Sequence, residues 1–368
     1  MDDFIPKIIK DNKKVLDNKN EQTNYKIKYI TNYVKNWLIV LSNTKFCTNL
    51  NFIDCMSNAG IYLDGEYSTA MNVLELFVDF AKKFPNKNYS LYINDISKEK
   101  LKVFEEIANL RFRNGFPKNI KIYKNNSDVN DYIKILTSND NLFNFPNSTI
   151  LYVDPYDFGT VHIPTLKSFA EKYYCEIIFN VFTSDFVRNR MDARIVKMID
   201  NPNVNINTKE ELVDYIISQL KVNKMKYSFQ YEFRIQTNVE LYQIMFLTPS
   251  DKGLDELKNS LWDTFKGFAF HRNHKKTTTE QISFFSEEDD VNEHLKRYSL
   301  EAREIIKLKY KNQELTYQQI CNEILPNSML KSTHIIQYVL KPGIEAGEFI
   351  KRNKYGKLNY KKDIYKIN

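Results

Sequence analysis

The stretch Thr149-Ile150-Leu151-Tyr152-Val153-Asp154-Pro155-Tyr156-Asp157 decides the fold of this chain. A β-rich apolar run precedes an acidic residue and a proline, which predicts a buried strand that ends at Asp154. The carboxyl ends of such strands are where an open α/β sheet carries its chemistry. Asp-Pro and Pro-Tyr also favour turns by themselves, so an ordinary exit from a strand stays an alternative for this stretch alone.

Before and after this stretch, the sequence alternates between strand-like and helical patterns. Apolar residues at helical spacing predict a helix over 23–42, ahead of the first strand. Alternating strands and helices are then predicted over 51–56, 74–83, 89–95, 98–112, 120–124, 129–136 and 149–154, followed by strands over 175–182, 227–236 and 241–248. The last two strands form an antiparallel pair in this interpretation. The pattern predicts an α/β fold with a doubly wound, Rossmann-like parallel sheet that ends on an antiparallel pair, as is typical of class I methyltransferases.

A second module is predicted after a polar stretch with the acidic run Glu287–Asp290. Helices are predicted over 299–309, 316–323 and 332–340, and strands over 349–352 and 358–360 around a turn at 354–357. Three helices and a hairpin predict a C-terminal winged helix-turn-helix domain. The expected organisation is therefore a Rossmann-like domain at 1–274, a linker at 275–298 and the winged helix at 299–368.

Positive charge is concentrated in that last module. The formal net charge is +7, and residues 300–368 contain 13 Lys or Arg against 7 Asp or Glu. A basic module of this kind predicts contact with the phosphates of DNA or RNA, while contact with another protein stays open. The residues expected to contact nucleic acid here are Lys331, Lys341, Lys351, Arg352, Lys354 and Lys357.

Composition excludes several other classes. Hydrophobic residues make up 42% and charged residues 27%, no apolar run is long enough to span a bilayer, and no signal peptide is seen. Four cysteines lie far apart, which predicts neither a zinc site nor a disulfide framework. The spacing His271-x-x-His274 lies in a basic surface-like segment. We therefore expect a cytoplasmic protein without a membrane segment and without a metal.

Polar residues follow each predicted strand of the sheet. Asp54 ends the first strand, and the turn behind it keeps Gly60 but has Asn58 where a glycine is expected. Asn tolerates a positive φ better than most residues, so the turn is expected to persist. Asp95 and Asp128 follow the second and third strands. Together these five residues predict a binding site for S-adenosylmethionine, with Asp95 on the ribose and Asp128 at the adenine.

Asp154-Pro155-Tyr156 is similar to the D/N-P-P-Y/F signature of methyltransferases that modify an exocyclic amino group of a base, although one proline is missing. The resemblance implies that Asp154 accepts a hydrogen bond from the amino group and that Tyr156 stacks on the flipped base. Asn180 and Arg188, which follow the fifth strand, are expected to line the substrate side.

The chain also resembles the three-Cys-motif partner (TcmP) family over residues 20–270. The resemblance rests on Tyr33 with Trp37, on 54–62, on the D-P-Y turn at 154–157, and on 176–180 and 252–258. It implies a methyltransferase-like domain whose partner is a phage-like protein with a three-cysteine motif. Residues 56–59 replace the family's F-A-G-P, and Asp157 replaces its turn glycine.

Three hypotheses follow. The first is an S-adenosylmethionine-dependent methyltransferase that acts on an exocyclic amino group of a nucleic-acid base. The second is a non-catalytic, methyltransferase-like binding module that acts with a partner protein, for which phage defence is one role. The third is a transcriptional regulator that senses a small ligand, which would bind one preferred duplex sequence as a dimer.

Overall fold

The computed structural model describes residues 3–139, 142–144, 146–183, 186–189, 192–201, 204–222, 225–234, 240–272, 287–352 and 360–368. The chain divides into two compact units, with the main division after Ser250. This differs from the predicted boundary at residue 274, because the segment Asp251–Phe270 packs with the C-terminal unit. Residues 287–298 of the predicted linker are helical, and the rest of that linker, 275–286, lies outside the described residues.

The first unit contains a sheet with helices on both faces. Its helices are α1 (Ile5–Asn12), α2 (Glu21–Ser42), α3 (Thr69–Lys83), α4 (Lys98–Arg111), α5 (Val129–Ser138), α6 (Ile163–Lys172), α7 (Phe186–Asn189), α8 (Ala193–Ile199) and α9 (Lys209–Leu220). Its strands are β1 (Asn49–Asp54), β2 (Asn88–Asn94), β3 (Ile120–Asn125), β4 (Asn147–Val153), β5 (Cys175–Phe182), β6 (Tyr227–Arg234) and β7 (Glu240–Thr248).

The strand order is β3-β2-β1-β4-β5-β7-β6, and the short strand β8 (Phe270–Arg272) follows β6 at the edge. Strands β1 to β5 pair in parallel, and β7 is antiparallel to both β5 and β6. The predicted doubly wound α/β sheet is therefore confirmed, with β7 as its antiparallel strand. Because chain order reverses between β1 and β4, the carboxyl ends of these two strands form a crevice.

The centre of the sheet is buried on both faces, as the continuous apolar sequences of its strands predict. Ile150, Leu151 and Val153 of β4 are completely buried. On one face, β4 and β5 pack against α5, α6, α8 and α9 in a single hydrophobic cluster. On the other face, Tyr33 of α2 packs edge-on against Phe246 of β7, with ring centroids 5.0 Å apart.

Helix α2 begins after Asn20, whose side chain accepts a hydrogen bond from the Thr23 amide at 2.7 Å and so caps the helix. Its buried face includes Ile30, Val34 and Leu38, at the spacing that one face of a helix requires. The predicted helix over 23–42 is thus confirmed. The same buried face also carries a charged residue, Lys26, to the carboxyl edge of the sheet.

The second unit consists of α10 (Asp251–Phe265), α11 (Glu287–Tyr310), α12 (Tyr317–Asn327), α13 (Ser332–His334) and α14 (Lys341–Glu345), and of the strands β9 (Glu314–Thr316), β10 (Phe349–Arg352) and β11 (Ile364–Ile367). Residues Ile335–Leu340 form a π-helical segment between α13 and α14. The strands form an antiparallel sheet in the order β10-β11-β9. Thr316 and Gln319 form a reciprocal capping box at the start of α12.

Of the predicted second hairpin strand, 358–360, the structure describes Tyr360 alone. Tyr360 lies in a turn, and the strand that pairs with β10 is β11. The reason is packing, because Tyr365 and Ile367 alternate inward and are completely buried, with Ile367 opposite Phe349. Residues 353–359, including the predicted turn, lie outside the described residues.

Candidate functional site

A cleft with a volume of about 590 Å³ lies at the carboxyl ends of β1, β4 and β5. The segment between α1 and α2, the turn behind β1, the start of α3 and the D-P-Y turn border it. Its polar or charged lining residues include Asp17, Lys26, Asp54, Asn58, Ser68, Lys100, Asp154 and Asn180. Its aromatic lining residues are Tyr62, Tyr152, Tyr156, Phe182 and Tyr242. The cleft occupies the crevice that the strand order creates.

The carboxylate of Asp154 is the centre of a hydrogen-bond network. The Lys26 ammonium lies 2.7 Å from Oδ1 and 2.7 Å from Oδ2. Asn180 Nδ2 donates to Oδ1 at 2.9 Å, and the Tyr152 hydroxyl donates to Oδ2 at 2.9 Å. Oδ1 thus accepts two hydrogen bonds, and Oδ2 accepts one and lies in ion-pair contact with Lys26, so all four lone-pair positions of the group are engaged. Asp154 is consequently a fixed internal acceptor in this state of the cleft.

Asp54 differs from Asp154 in its environment. It is 2% exposed, and its Oδ1 accepts a hydrogen bond from the Met56 amide at 3.1 Å. Burial, with smaller contributions from the negative charges of Asp154 and Asp95, raises the pKa of Asp54 to about 8, against the opposing effects of the Met56 amide hydrogen bond and the Lys26 charge. At neutral pH this carboxyl therefore favours its protonated form.

This pKa shift decides the charge of the cleft. With Asp54 protonated, the charges of Asp17 and Asp154 balance those of Lys26 and Lys100. Lys100 lies 2.7 Å from Asp17 Oδ2 and therefore forms a second ion pair in the cleft. A near-neutral, polar cleft suits a zwitterion or a neutral polar group better than a highly charged anion.

The turn behind β1 keeps its shape without the expected glycine. Asn58 adopts φ +61° and Gly60 adopts φ +83°, both in the left-handed region. The Asn58 amide donates to Asp95 Oδ2 at 3.1 Å, and its side-chain Nδ2 donates to Asp17 Oδ2 at 2.9 Å. The sequence expectation that Asn would support a positive φ here is confirmed.

The other two predicted strand-end carboxylates support backbone turns. Asp95 is 4% exposed and accepts hydrogen bonds from the amides of Asn58 and Ser97, the latter at 2.8 Å. Asp128 is exposed and caps α5 by accepting from the Asn130 amide at 2.8 Å. Neither residue belongs to the lining of the 590 Å³ cleft. Their expected roles toward the ribose and the adenine stay predictions.

Tyr156 lies at the mouth of the cleft. Its side chain is 56% exposed, and the Lys100 ammonium lies 5.0 Å from the centre of its ring. The contact is a cation–π interaction between a helix on one side of the cleft and the D-P-Y turn on the other. Pro155, the preceding residue, also lines the cleft. The turn therefore brings an aromatic ring to the entrance, as the sequence motif indicates.

Of the two residues predicted on the substrate side, Asn180 lines the cleft and is 1% exposed. Its Oδ1 is buried and has no hydrogen-bond partner within the described part of the chain. Arg188 lies on the short helix α7, and its side chain lies outside what the structure describes.

Sequence reasoning missed Lys26, Lys100, Asp17 and Ser68. Lys26 was detectable, because it lies four residues after buried Gln22 and four before buried Ile30, on the core face of α2. A lysine on such a face requires a buried partner. Ser68 precedes α3, but its hydroxyl does not cap that helix and is buried without a partner among the described residues.

The basic residues predicted to contact nucleic acid occupy different environments in the second unit. The Lys351 ammonium pairs with buried Asp363 at 2.9 Å, and its side chain is 11% exposed. It points into the unit, whereas exposed Arg352 pairs with Glu314 at 2.6 Å on the surface. Lys331 is half-buried and Lys341 is exposed. Lys354 and Lys357 lie outside the described residues.

No helix of the described residues is long and apolar enough to cross a membrane. The same residues contain no cluster of His, Cys, Asp or Glu that could hold a metal ion. The four cysteines are buried and unpaired.

Comparison with known proteins gives likeness in structure alone. No family model matches the chain, and no curated protein matches it. Similar solved structures include the plantazolicin methyltransferase BpumL in complex with SAH, at 12% identity over 66% of this chain and 88% of that chain, with a TM-score of 0.33. Human methyltransferase-like protein 13 in complex with SAH is 13% identical over 71% of this chain and 98% of that chain, with a TM-score of 0.35.

Protein LPL1258 from Legionella pneumophila is 13% identical over 65% of this chain and 91% of that chain, with a TM-score of 0.38. At such identities and TM-scores, these likenesses say nothing about what this chain binds. Its resemblance to the TcmP family stays a prediction.

Proposed function

We propose that this chain is an S-adenosylmethionine-dependent methyltransferase that acts on an exocyclic amino group of a nucleic-acid base. The observation that carries the proposal is the meeting of Asp54, Asp154-Pro155-Tyr156 and Asn180 in one cleft at the carboxyl ends of three neighbouring strands. The ligand site of a doubly wound sheet is expected there. Methyl transfer to a weakly nucleophilic amino group needs alignment and charge stabilisation more than a strong base.

The residues of the cleft fit S-adenosylmethionine, which carries both positive and negative groups. The start of α3 offers first-turn amides and the unpartnered Ser68 hydroxyl for a carboxylate. Asp54 is suited to a cationic group, because a cation favours its ionised form. The turn at Asn58 and Gly60, supported by Asp95, would lie against the cofactor, and Asp128 would approach the adenine. When bound, S-adenosylmethionine supplies the methyl group on its sulfonium.

On the substrate side, Tyr156 would stack on the flipped base at the mouth of the cleft. Pro155 fixes the turn that presents it. Asp154 and Asn180 would face the amino group, and Arg188 would lie on the same side. Asp154 is held in this arrangement by its ion pair with Lys26.

For the second unit we propose a winged helix that holds the nucleic acid. From α11 onward the order is helix, strand, helix, a continuous helical segment from α13 to α14, and two strands, which supports this, as does the positive charge of the unit. Lys331 and Lys341 are candidates for phosphate contact, with Lys354 and Lys357 of the predicted turn. Arg352 would have to exchange its partner Glu314 for a phosphate. The inward pairing of Lys351 argues for a structural role instead.

A second candidate function is a non-catalytic binding module that acts with a three-Cys-motif, phage-like partner protein in cytoplasmic phage defence. Two features favour it. The Asp154 carboxylate is already fully bonded, and the side chain of Asn58 bridges to Asp17 where a glycine would leave open space. Both features would oppose cofactor or substrate binding if the side chains cannot move.

Isothermal titration with S-adenosylmethionine separates the two candidates. The catalytic proposal predicts micromolar binding that Asp95→Ala weakens, because this change removes the acceptor for the Asn58 amide and loosens the turn. Asp128→Ala tests the predicted adenine contact separately, because Asp128 caps α5 and does not support the turn at Asn58: a large loss of affinity in this variant would support that contact. No binding at millimolar ligand would reject the catalytic proposal and favour the binding module.

A further inference from the structure

The hydrogen bonds around Asp154 indicate that Asp154 and Asn180 differ in their ability to accept a hydrogen bond from a substrate. All the lone-pair positions of the Asp154 carboxylate are engaged by Lys26, Tyr152 and Asn180. An amino group of a substrate would therefore have to displace one of these donors. Displacing Lys26 is the most costly of these, because its ammonium bonds both oxygens and its side chain is only 11% exposed.

Asn180 carries an acceptor oxygen that no described residue engages, whereas the oxygens of Asp154 already accept hydrogen bonds. Its amide orientation is determined, since a carboxylate oxygen requires the NH2 side of the amide and leaves Oδ1 on the far side. Oδ1 is buried, and no described residue donates to it. An unpaired buried acceptor destabilises the folded state, and a donor on a bound ligand would remove that cost. Asn180 also lines the cleft, as such a contact needs.

We propose that Asn180 Oδ1 accepts the hydrogen bond from the substrate amino group, and that Lys26 is a positioning residue that acts through Asp154. The Lys26–Asp154 ion pair holds the carboxylate in place, and the carboxylate fixes the amide of Asn180. This inference rests on the proposed function for the identity of the substrate class. The substrate side of the cleft would therefore depend on Lys26, a residue of helix α2.

The first test is binding of nucleosides in the presence of S-adenosylhomocysteine. Adenosine is compared with inosine, and cytidine with uridine, because the second member of each pair has a carbonyl in place of the amino group. The wild-type chain is expected to prefer one amino-bearing nucleoside by about tenfold. Asn180→Leu is expected to abolish that preference, because it removes the acceptor. Equal binding of both members of each pair by the wild-type chain, or an undiminished preference in Asn180→Leu, would overturn the inference.

The second test is transfer of tritiated methyl groups to random-sequence DNA and RNA. Asn180→Leu is expected to lower kcat by about 100-fold while the affinity for S-adenosylmethionine changes little. Gln243→Leu is the matched control, since it removes a buried amide from the neighbouring strand β7 outside the cleft. Equal losses in both variants would indicate a general effect of lost buried amides and would contradict the assignment.

The role of Lys26 is tested by measuring kcat and the affinity for S-adenosylmethionine separately. Lys26→Met is expected to lower kcat with little change in S-adenosylmethionine affinity, and Lys26→Arg is expected to retain more of the rate. A faster Lys26→Met variant would mean that the released Asp154 is the acceptor, against the inference. Nucleoside discrimination without any methyl transfer would instead reject the proposed function and leave the role of Asn180 in place.

Discussion

At the scale of single residues, the proposed function implies that Asp54 links the protonation of the cleft to S-adenosylmethionine binding. Its pKa of about 8 means that the carboxyl holds a proton at pH 7, mainly because of burial. A cationic group of S-adenosylmethionine favours the ionised form and lowers this pKa, so binding is expected to release a proton. Affinity should therefore rise with pH up to about 8. Titration at pH 7 in two buffers of different ionisation enthalpy measures the protons released.

Asp54→Asn is the control for this linkage, because the amide keeps an acceptor for the Met56 amide but does not titrate. The variant should release up to about one proton fewer per ligand bound than the wild-type chain. Protons that the ligand itself releases are subtracted from both values. Identical proton release by the variant and the wild-type chain would place the ligand away from Asp54.

Gly60 is a second residue whose role is testable alone. It adopts φ +83°, and an added Cβ would lie 2.8 Å from Phe104 Cδ2. Gly60→Ala should lower the free energy of unfolding by roughly 1–3 kcal/mol through backbone strain and this contact. Gly115→Ala is the matched comparison, because Gly115 has φ +88° and no atom within 4 Å of its Cβ position. Urea denaturation should show the larger loss for Gly60→Ala.

At the scale of elements, a buried carboxyl joins α2 to the sheet. Glu176 of β5 accepts hydrogen bonds from the Tyr33 hydroxyl at 2.5 Å and the Thr248 hydroxyl at 2.7 Å. Burial raises its pKa to about 7, against the lowering effect of both hydroxyls. The folded chain thus holds this proton over a pH range in which the unfolded chain has lost it. The contribution of Glu176 to stability therefore falls as pH rises from about 4.5 to about 7.

Glu176→Gln removes this titration while its side chain can still bond both hydroxyls. The free energy of unfolding of the variant, relative to wild type, should increase between pH 5 and pH 8 by up to about 3 kcal/mol. Urea titrations at both pH values measure it. Parallel stability curves for the two proteins would show that Glu176 does not titrate in this range.

Elements were predictable from sequence where one periodic pattern dominates. The apolar run at 149–153 and the helical spacing over 23–42 gave β4 and α2 directly, and their alternation with other elements gave the sheet. The second hairpin strand was misplaced because the true strand, Ile364–Ile367, alternates over four residues only. A strand that short is defined by its pairing with β10, which local sequence does not contain.

The site was predictable only in part, because side-chain partners depend on tertiary contacts. Strand ends located Asp54 and Asp154 in the cleft, since parallel strands bring their carboxyl ends to one edge. The same rule could not show that Asp128 caps a helix and does not line the cleft. Nor could it find the Lys26 partner of Asp154, which is 128 residues away in the chain.

At the scale of the whole molecule, the proposed division of labour assigns chemistry to the first unit and nucleic-acid contact to the second. It follows that a surface charge of the second unit should affect nucleic-acid affinity without affecting S-adenosylmethionine affinity. Lys341 and Lys351 form a matched pair for this test. One ammonium is on the exposed surface, and the other pairs with the buried carboxylate of Asp363.

Lys341→Met is expected to weaken nucleic-acid binding and to reduce the slope of log affinity against log salt by about 0.9, because one phosphate contact is lost. Its stability should change by less than about 0.5 kcal/mol.

Lys351→Met should instead cost about 3 kcal/mol of stability, since it removes the ion pair of a carboxylate that is completely buried. Where that variant is folded, its salt slope should equal that of the wild-type chain. Fluorescence anisotropy with labelled DNA and RNA over a salt series measures the slopes, and urea denaturation measures the stabilities. If Lys351→Met lowers the slope and Lys341→Met does not, the nucleic acid binds the sheet of the second unit through a rearranged Lys351, and the proposed contact surface is wrong.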